Sequence, residues 1–255
     1  MMVQIKKLVP KGLLDAYRRN KRKRIGAINE ARSTEDVFSE IYQKNVWGGE
    51  KGDFCSGGGT VVEEIASPYL QCVQKLGQEL GFAEMSAVDL GCGDMRIGQE
   101  VRKFFGSYTG VDIVKPLIES HRQKFEDEKT KFLHLNMVEE ELPKGDVCMI
   151  RQVFQHLSNQ QISTILPKLS QFRYILITEH LPTPGPKVMK NLDKCQGGSI
   201  RLYENSGVFL TEPPFSVAKE SVRTVLEVPS HEIEDHEDNG IIQTVLISNF
   251  QEASS

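Results

Sequence analysis

The chain lacks most of the features that would assign it to a class at once. Its five cysteines, Cys55, Cys72, Cys92, Cys148 and Cys195, are odd in number and include no CxxC pair. That argues against a disulfide framework and against a zinc site, and predicts a reducing, cytoplasmic home with no bound metal. No run approaches the ~18 apolar residues of a membrane span, and the N-terminus has no continuous apolar core of a secretory signal. Positive charge is in deficit. With 31 Lys and Arg against 35 Asp and Glu, the net charge is −4, so no nucleic-acid-binding face is expected. Tryptophan occurs once, at Trp47. A length of 255 residues suits one large α/β domain better than two.

Basic residues do gather in one place. Lys6, Lys7, Lys11, Arg18, Arg19, Lys21, Arg22, Lys23 and Arg24 stand against the single acid Asp15. With Ile5, Leu8, Val9, Leu13, Leu14 and Tyr17 interleaved, this arm reads as a solvated terminal helix, or as an amphipathic one resting on an anionic membrane face or a partner such as a glycosyltransferase. The chain thus divides into a basic arm, 1–32, and one domain, 33–255.

Within that domain, residues 33–60 have the composition of a lid: Phe38, Ile41 and Tyr42 at helical spacing, then Trp47-Gly48-Gly49 and Cys55-Ser56-Gly57-Gly58-Gly59-Thr60. Thr60 with Glu63 predicts a capping box for the next helix, which Pro68 kinks or delays. From Ser86, β-rich runs at 86–90, 107–111, 131–135, 146–151 and 174–179 alternate with helical stretches near 96–105, 115–127 and 159–170. The last of these opens on Ser158 or Asn159, with Gln161 as a reciprocal cap. Such alternation predicts a parallel sheet. An irregular insertion, about 181–215, too long for a simple connector and expected to bind substrate, precedes two strands, Val222 to Val228 and Ile241 to Ile247, which have no helix between them and must pair antiparallel. The expected fold is α/β: a Rossmann-like, doubly wound, seven-stranded sheet, mostly parallel with an antiparallel last strand.

The chemistry is concentrated in Ala87-Val88-Asp89-Leu90-Gly91-Cys92-Gly93-Asp94 and Tyr108-Thr109-Gly110-Val111-Asp112. A strand runs into a glycine turn, and a second strand ends on an acid about 20 residues later, the spacing of a carboxylate that grips a ribose diol. A dinucleotide site wants a third glycine where this chain has Arg96. Asp94 also places negative charge where a pyrophosphate would approach. Both point to a phosphate-free, cationic adenosine cofactor.

These residues resemble the cofactor motifs of class I S-adenosylmethionine-dependent methyltransferases, over residues 38 to 250. The resemblance implies that Asp89, Gly91 and Gly93 bound the methionine part of the cofactor, with Cys92 and Arg96 also among the cofactor-binding residues. Asp112 would hold the ribose hydroxyls, Asn136 would meet the adenine amino group, and Ile113 and Met137 would sandwich the ring. A narrower likeness runs through Ile41-Tyr42, Trp47-Gly48-Gly49, Ser56-Gly57-Gly58-Gly59-Thr60, Leu142-Pro143 and Arg151-Gln152-Val153-Phe154-Gln155-His156-Leu157-Ser158. This pattern looks like a group of methyltransferases associated with surface-polysaccharide gene clusters. It implies a saccharide hydroxyl as acceptor, although Gln152 stands where that group often has Asp. Glu212-Pro213-Pro214-Phe215 is similar to a motif of nucleic-acid-base methyltransferases, but there it follows the fourth strand, which here ends in Arg151-Gln152.

Methyl transfer to a hydroxyl needs alignment and a base near the carboxyl ends of the strands. The candidates are His156 and His180, with Glu179 orienting His180 or binding a diol; local packing would explain each equally. Arg151 is placed for the cofactor carboxylate, and Trp47 to close over the cofactor. Tyr42, Lys194, Arg201, Tyr203 and Asn205 offer hydrogen-bonding and stacking groups for a sugar. The expected activity is O-methylation of a glycan or nucleotide sugar. Alternatives are N- or O-methylation of a metabolite or protein side chain, or a non-catalytic cofactor-binding module.

Overall fold

Val147 to Arg151 shows how the sheet is built. Val147 and Met149 enter one apolar cluster while Cys148 and Ile150 enter the other, as period-two alternation requires of a strand covered on both faces. The structure, a computed structural model, describes residues 11–50, 52–57, 62–230 and 240–248. The main strands are β1 (Ser86–Leu90), β2 (Ser107–Asp112), β3 (Thr130–His134), β4 (Val147–Arg151), β5 (Tyr174–Leu181), β8 (Val222–Pro229) and β9 (Ile241–Ser248), with a small pair β6 (Met189–Lys190) and β7 (Ser206–Gly207) outside the sheet. The seven-stranded order is β3-β2-β1-β4-β5-β9-β8. β1 to β5 pair in parallel; β9 runs antiparallel to β5 and to β8. The chain leaves β1 in one direction and returns to β4 on its other side, so a crevice opens beyond their carboxyl ends.

Helices cover both faces: α1 (Lys11–Glu30), α2 (Thr34–Gln43), α3 (Glu63–Leu80), α4 (Gly98–Val101), α5 (Lys115–Phe125) and α6 (Asn159–Ile165). On one face Val37, Phe38 and Ile41 of α2 pack with Ile162 and Ile165 of α6. On the other, Tyr69, Val73 and Leu76 of α3 pack over Tyr108, Met149 and Leu176. Ser158 caps α6: its hydroxyl accepts from Gln161 N (3.2 Å), and its own N–H donates to Gln161 Oε1 (2.9 Å). Two expected helices are shorter than their apolar spacing suggested. The 159–170 stretch stops being α-helical at Ile165 and continues as a tighter turn through Pro167, whose ring cannot donate to the preceding turn. Of 96–105, only Gly98–Val101 is α-helical. Thr60, the expected cap of α3, lies outside the described residues. Val62 occupies the N-cap position without a side-chain bond, and the helix runs on through Pro68.

The stretch after β5 is irregular but tied down. Asn191 donates to the carbonyls of Phe209 (2.9 Å), Glu212 (3.2 Å) and Pro213 (2.8 Å), and its Oδ1 accepts from Phe209 N (2.7 Å). α1 lies along this segment. No described helix is long and apolar enough to cross a membrane.

Candidate active site

A cleft enclosing about 1090 Å³, open solvent at its mouth included, lies beyond the carboxyl ends of β1, β2 and β4. Gly91 and Gly93 form its floor with left-handed φ of +78° and +57°. A Cβ on Gly91 would stand 2.5 Å from Val153 Cγ2, and one on Gly93 2.5 Å from Ser56 Oγ. Only glycine lets the backbone approach this closely. Asp112 holds the turn from beside it, Oδ2 accepting from Gly93 N (3.1 Å) and Oδ1 from Val114 N (3.0 Å). Burial pushes the carboxyl up from its ordinary value, against the opposing pull of the Val114, Gly93 and Ile113 N–H groups. Buried His121 of α5 completes the support through a 2.6 Å contact between Nε2 and Gly93 O, in which the ring nitrogen must donate.

Deeper in the cleft, Tyr108 donates to Asp89 Oδ2 (2.6 Å), and the Arg151 guanidinium sits over the Tyr69 ring at 5.0 Å. Burial pushes Asp89 up to about 6, against the opposing pulls of Tyr108 and Arg151. The roof comes from α2 and the segment after it. Tyr42 Oη meets Ser56 Oγ at 2.8 Å; Ser56 Oγ accepts from Asp94 N (2.8 Å), and Ser56 N donates to Asp94 Oδ2 (2.8 Å). Trp47 packs edge-on to Tyr42, with centroids 5.4 Å apart, and donates to Gly198 O (3.0 Å).

Residues 87–172 match the model of a methyltransferase domain. The chain thus carries a methyltransferase domain. No curated protein matches it in sequence. Among solved structures, it is similar to magnesium protoporphyrin IX methyltransferase from Synechocystis with bound S-adenosylmethionine, at 11% identity and a TM-score of 0.52 over 86% of this chain and 98% of that one. A methyltransferase from Leishmania major gives 13% and 0.51 over 84% and 80%. The 1,6-didemethyltoxoflavin N1-methyltransferase of Burkholderia thailandensis gives 12% and 0.51 over 84% and 87%. Likeness at these identities is a likeness of fold.

The cleft of the methyltransferase fits its cofactor: a glycine floor that a Cβ would fill, a carboxylate beside it, and apolar Ile113 and Met137 at the far end. Of the residues expected at the cofactor, Asp89, Gly91, Cys92, Gly93, Asp112, Ile113, Asn136, Met137, Arg151 and Trp47 line the cleft. Arg96 does not. It is exposed, with its Nε 3.9 Å from Asp94 Oδ2, because the turn aims its side chain outward.

Of the residues expected at the acceptor, Tyr42 alone lines the cleft. Arg201 is buried elsewhere, donating to the carbonyls of Leu192 (2.6 Å) and Leu157 (2.7 Å). Tyr203 lies under Arg22 of α1 at 4.8 Å, and Asn205 donates to Lys187 O (2.7 Å). Lys194 donates to His156 O (3.3 Å), its pKa pushed down to about 7 by burial and by Arg201.

The three catalytic candidates separate likewise. His156 lines the cleft, whereas His180 and Glu179 do not. His180 is buried against the turn at Gly240. Glu179 accepts from Phe154 N (2.9 Å) and Gln155 N (3.0 Å), so it caps the turn after β4, and burial pushes it up to about 8.

Sequence reasoning overlooked His121, Tyr69 and Gln155. Gln155 carried a usable signal in its place between β4 and His156, and Gln152 beside it lines the cleft with a left-handed φ of +57°. Such φ values in non-glycine residues gather at functional sites.

Proposed function

We propose that the methyltransferase methylates a hydroxyl group of a saccharide, with residues 33–60 serving as a lid and α2 and Trp47 roofing the cleft. The observation that carries this reading is Gln155 Oε1, a buried acceptor in the cleft wall without a hydrogen-bond partner. Its orientation follows from its neighbours. Gly197 O lies 3.2 Å from His156 Nδ1, which must therefore carry the proton. His156 Nε2 is then an acceptor, and Gln155 Nε2, 3.3 Å away, donates to it and to Gln152 O (3.3 Å). Oε1 is the amide atom left over, and a hydroxyl proton satisfies it. Trp47, Phe38 and Tyr42 supply aromatic surface nearby, which suits the apolar faces of a sugar ring.

When bound, the cofactor supplies an electrophilic methyl on a sulfonium. The chain's part is alignment and electrostatics. His156, pushed down to about 3 by burial and by Lys194, stays neutral at physiological pH and adds no positive charge to a cleft that would hold a cationic cofactor. That low value makes it a weak general base. It positions Gln155 instead, and Gln155 Oε1 orients the acceptor oxygen. The sulfur–methyl bond would break as the carbon–oxygen bond forms, leaving a neutral thioether, and the hydroxyl proton, made acidic by that bond, would pass to water.

Transfer of labelled methyl from S-adenosylmethionine to a panel of saccharides, nucleotide sugars, metabolites and proteins tests the reading. Saccharide hydroxyls are expected to label, and labelling confined to amines would overturn it. Gln155→Leu is expected to lower kcat/KM for the hydroxyl acceptor by about 10- to 100-fold while leaving S-adenosylhomocysteine affinity intact.

A further inference from the structure

α1 has two faces, and the body of the protein uses one. Arg22 donates to Glu204 Oε1 (3.1 Å), Asn29 is buried and donates to Gln196 O (3.1 Å), and a Cβ on Gly26 would stand 3.6 Å from Cys195. The other face is turned to solvent. Leu13, Tyr17, Ile25 and Ile28 are 64%, 64%, 46% and 55% exposed. Their spacings of four, eight and three place them on one stripe of a helix with 3.6 residues per turn. Exposed Lys21 and Arg24 fall within the same stripe. Glu30, at the end of α1, lies outside it.

Single exposed apolar residues need no explanation, but four large ones aligned on one helix face do. Charge selects the occupant. α1 carries seven basic residues against two acidic ones, in a chain whose net charge is −4. An aligned apolar stripe threaded with cations suits a surface that is apolar just below a layer of negative charge, as in a bilayer with anionic headgroups.

We propose that α1 is a peripheral membrane-binding helix. It lays the Leu13–Ile28 stripe into the headgroup region of an anionic bilayer, with Lys21 and Arg24 meeting lipid phosphates. The Arg22–Asn29 face keeps it joined to the insertion after β5. Because Thr34, four residues beyond the end of α1, lines the cleft, docking brings the methyl-transfer site close to the lipid surface. The proposal does not depend on the identity of the acceptor.

Co-sedimentation of the full chain with vesicles tests it. Vesicles of phosphatidylcholine and phosphatidylglycerol in a two-to-one ratio are expected to pellet the protein, pure phosphatidylcholine vesicles are not, and raised salt is expected to release it. The double variant Lys21→Glu/Arg24→Glu is expected to weaken partitioning at least thirtyfold. The variant Leu13→Ser/Tyr17→Ser/Ile28→Ser is expected to abolish it. Both alter only the solvent face, and unchanged S-adenosylmethionine affinity certifies their folding. No pelleting with anionic vesicles, or equal pelleting with neutral ones, overturns the proposal. So does a dimer in sedimentation velocity that the apolar variant dissolves, because the stripe would then belong to a second copy.

Discussion

Asp89 and Asp112 are both buried at the cleft, yet their surroundings give them different tasks. Asp112 is held by the backbone N–H groups of Gly93 in the glycine turn and of Val114, two residues after β2, a fixed geometry that would suit the ribose diol we propose for it. We expect Asp112→Ala to abolish S-adenosylmethionine binding in titration calorimetry; undiminished affinity would remove it from the ribose. Asp89 has a single strong donor, Tyr108, and burial pushes it up to about 6. A carboxyl is ionised above its pKa, so at a cofactor ammonium, the contact we propose for it, Asp89 would be an anion above about pH 6 and a neutral acid below it. Cofactor affinity is therefore expected to fall by up to about tenfold per pH unit below 6. Asp89→Asn should bind weakly at every pH and flatten that dependence. A wild-type affinity that stays constant from pH 7 to pH 5 would contradict this role.

At the scale of elements, the insertion after β5 resembles a binding loop by composition but behaves as scaffolding. An irregular segment has no ladder to satisfy its main-chain carbonyls, so side chains must do it. Asn191 serves Phe209, Glu212 and Pro213, and Arg201 serves Leu192 and Leu157. Arg201, expected at a sugar, is spent on this work. Asn191→Ala leaves three carbonyls and one N–H without that partner and is expected to cost about 2–3 kcal/mol, read as a lowered midpoint in urea unfolding. Because Gly197 and Gly198 of the same insertion accept from His156 and Trp47, acceptor turnover should fall more than cofactor affinity does. A variant as stable as the wild type would show the insertion to be loosely held.

For the whole molecule, buried titratable groups set the acid limit of stability. His156 is pushed down to about 3 in the folded state from an ordinary value near 6.5. Below about pH 6.5 the unfolded chain takes up a proton that the folded chain refuses until about pH 3. Stability from this group is therefore fully present above 6.5 and is lost progressively as pH falls towards 3. Asp89 and Glu179, both raised, contribute with the opposite slope, so the histidine must be isolated by difference. His156→Gln, which cannot titrate, is expected to show a shallower loss of thermal midpoint between pH 6.5 and 4 than the wild type. Parallel curves would mean that the imidazole titrates normally in the fold.

Much of this was legible in the chain because it is local. Apolar alternation marked the strands, and the absence of a helix between β8 and β9 required them to pair antiparallel. Gly91 and Gly93 before an acid at the end of β2 marked the cofactor crevice, since backbone approach and strand ends follow from neighbouring residues. Ser158 and Gln161 specified their own cap. Tertiary structure alone decided which distant polar side chains reach the cleft. His121 arrives under Gly93 from α5, and Glu179 turns away to cap the residues after β4. Arg201 and Tyr203 are taken up by packing, while Gln155 keeps an acceptor open in the wall. Sequence determined where the glycine-floored cleft forms, because its floor is built from consecutive turns. The fold decided what surrounds the acceptor, because those side chains come from segments that meet only when every other hydrogen bond has been satisfied.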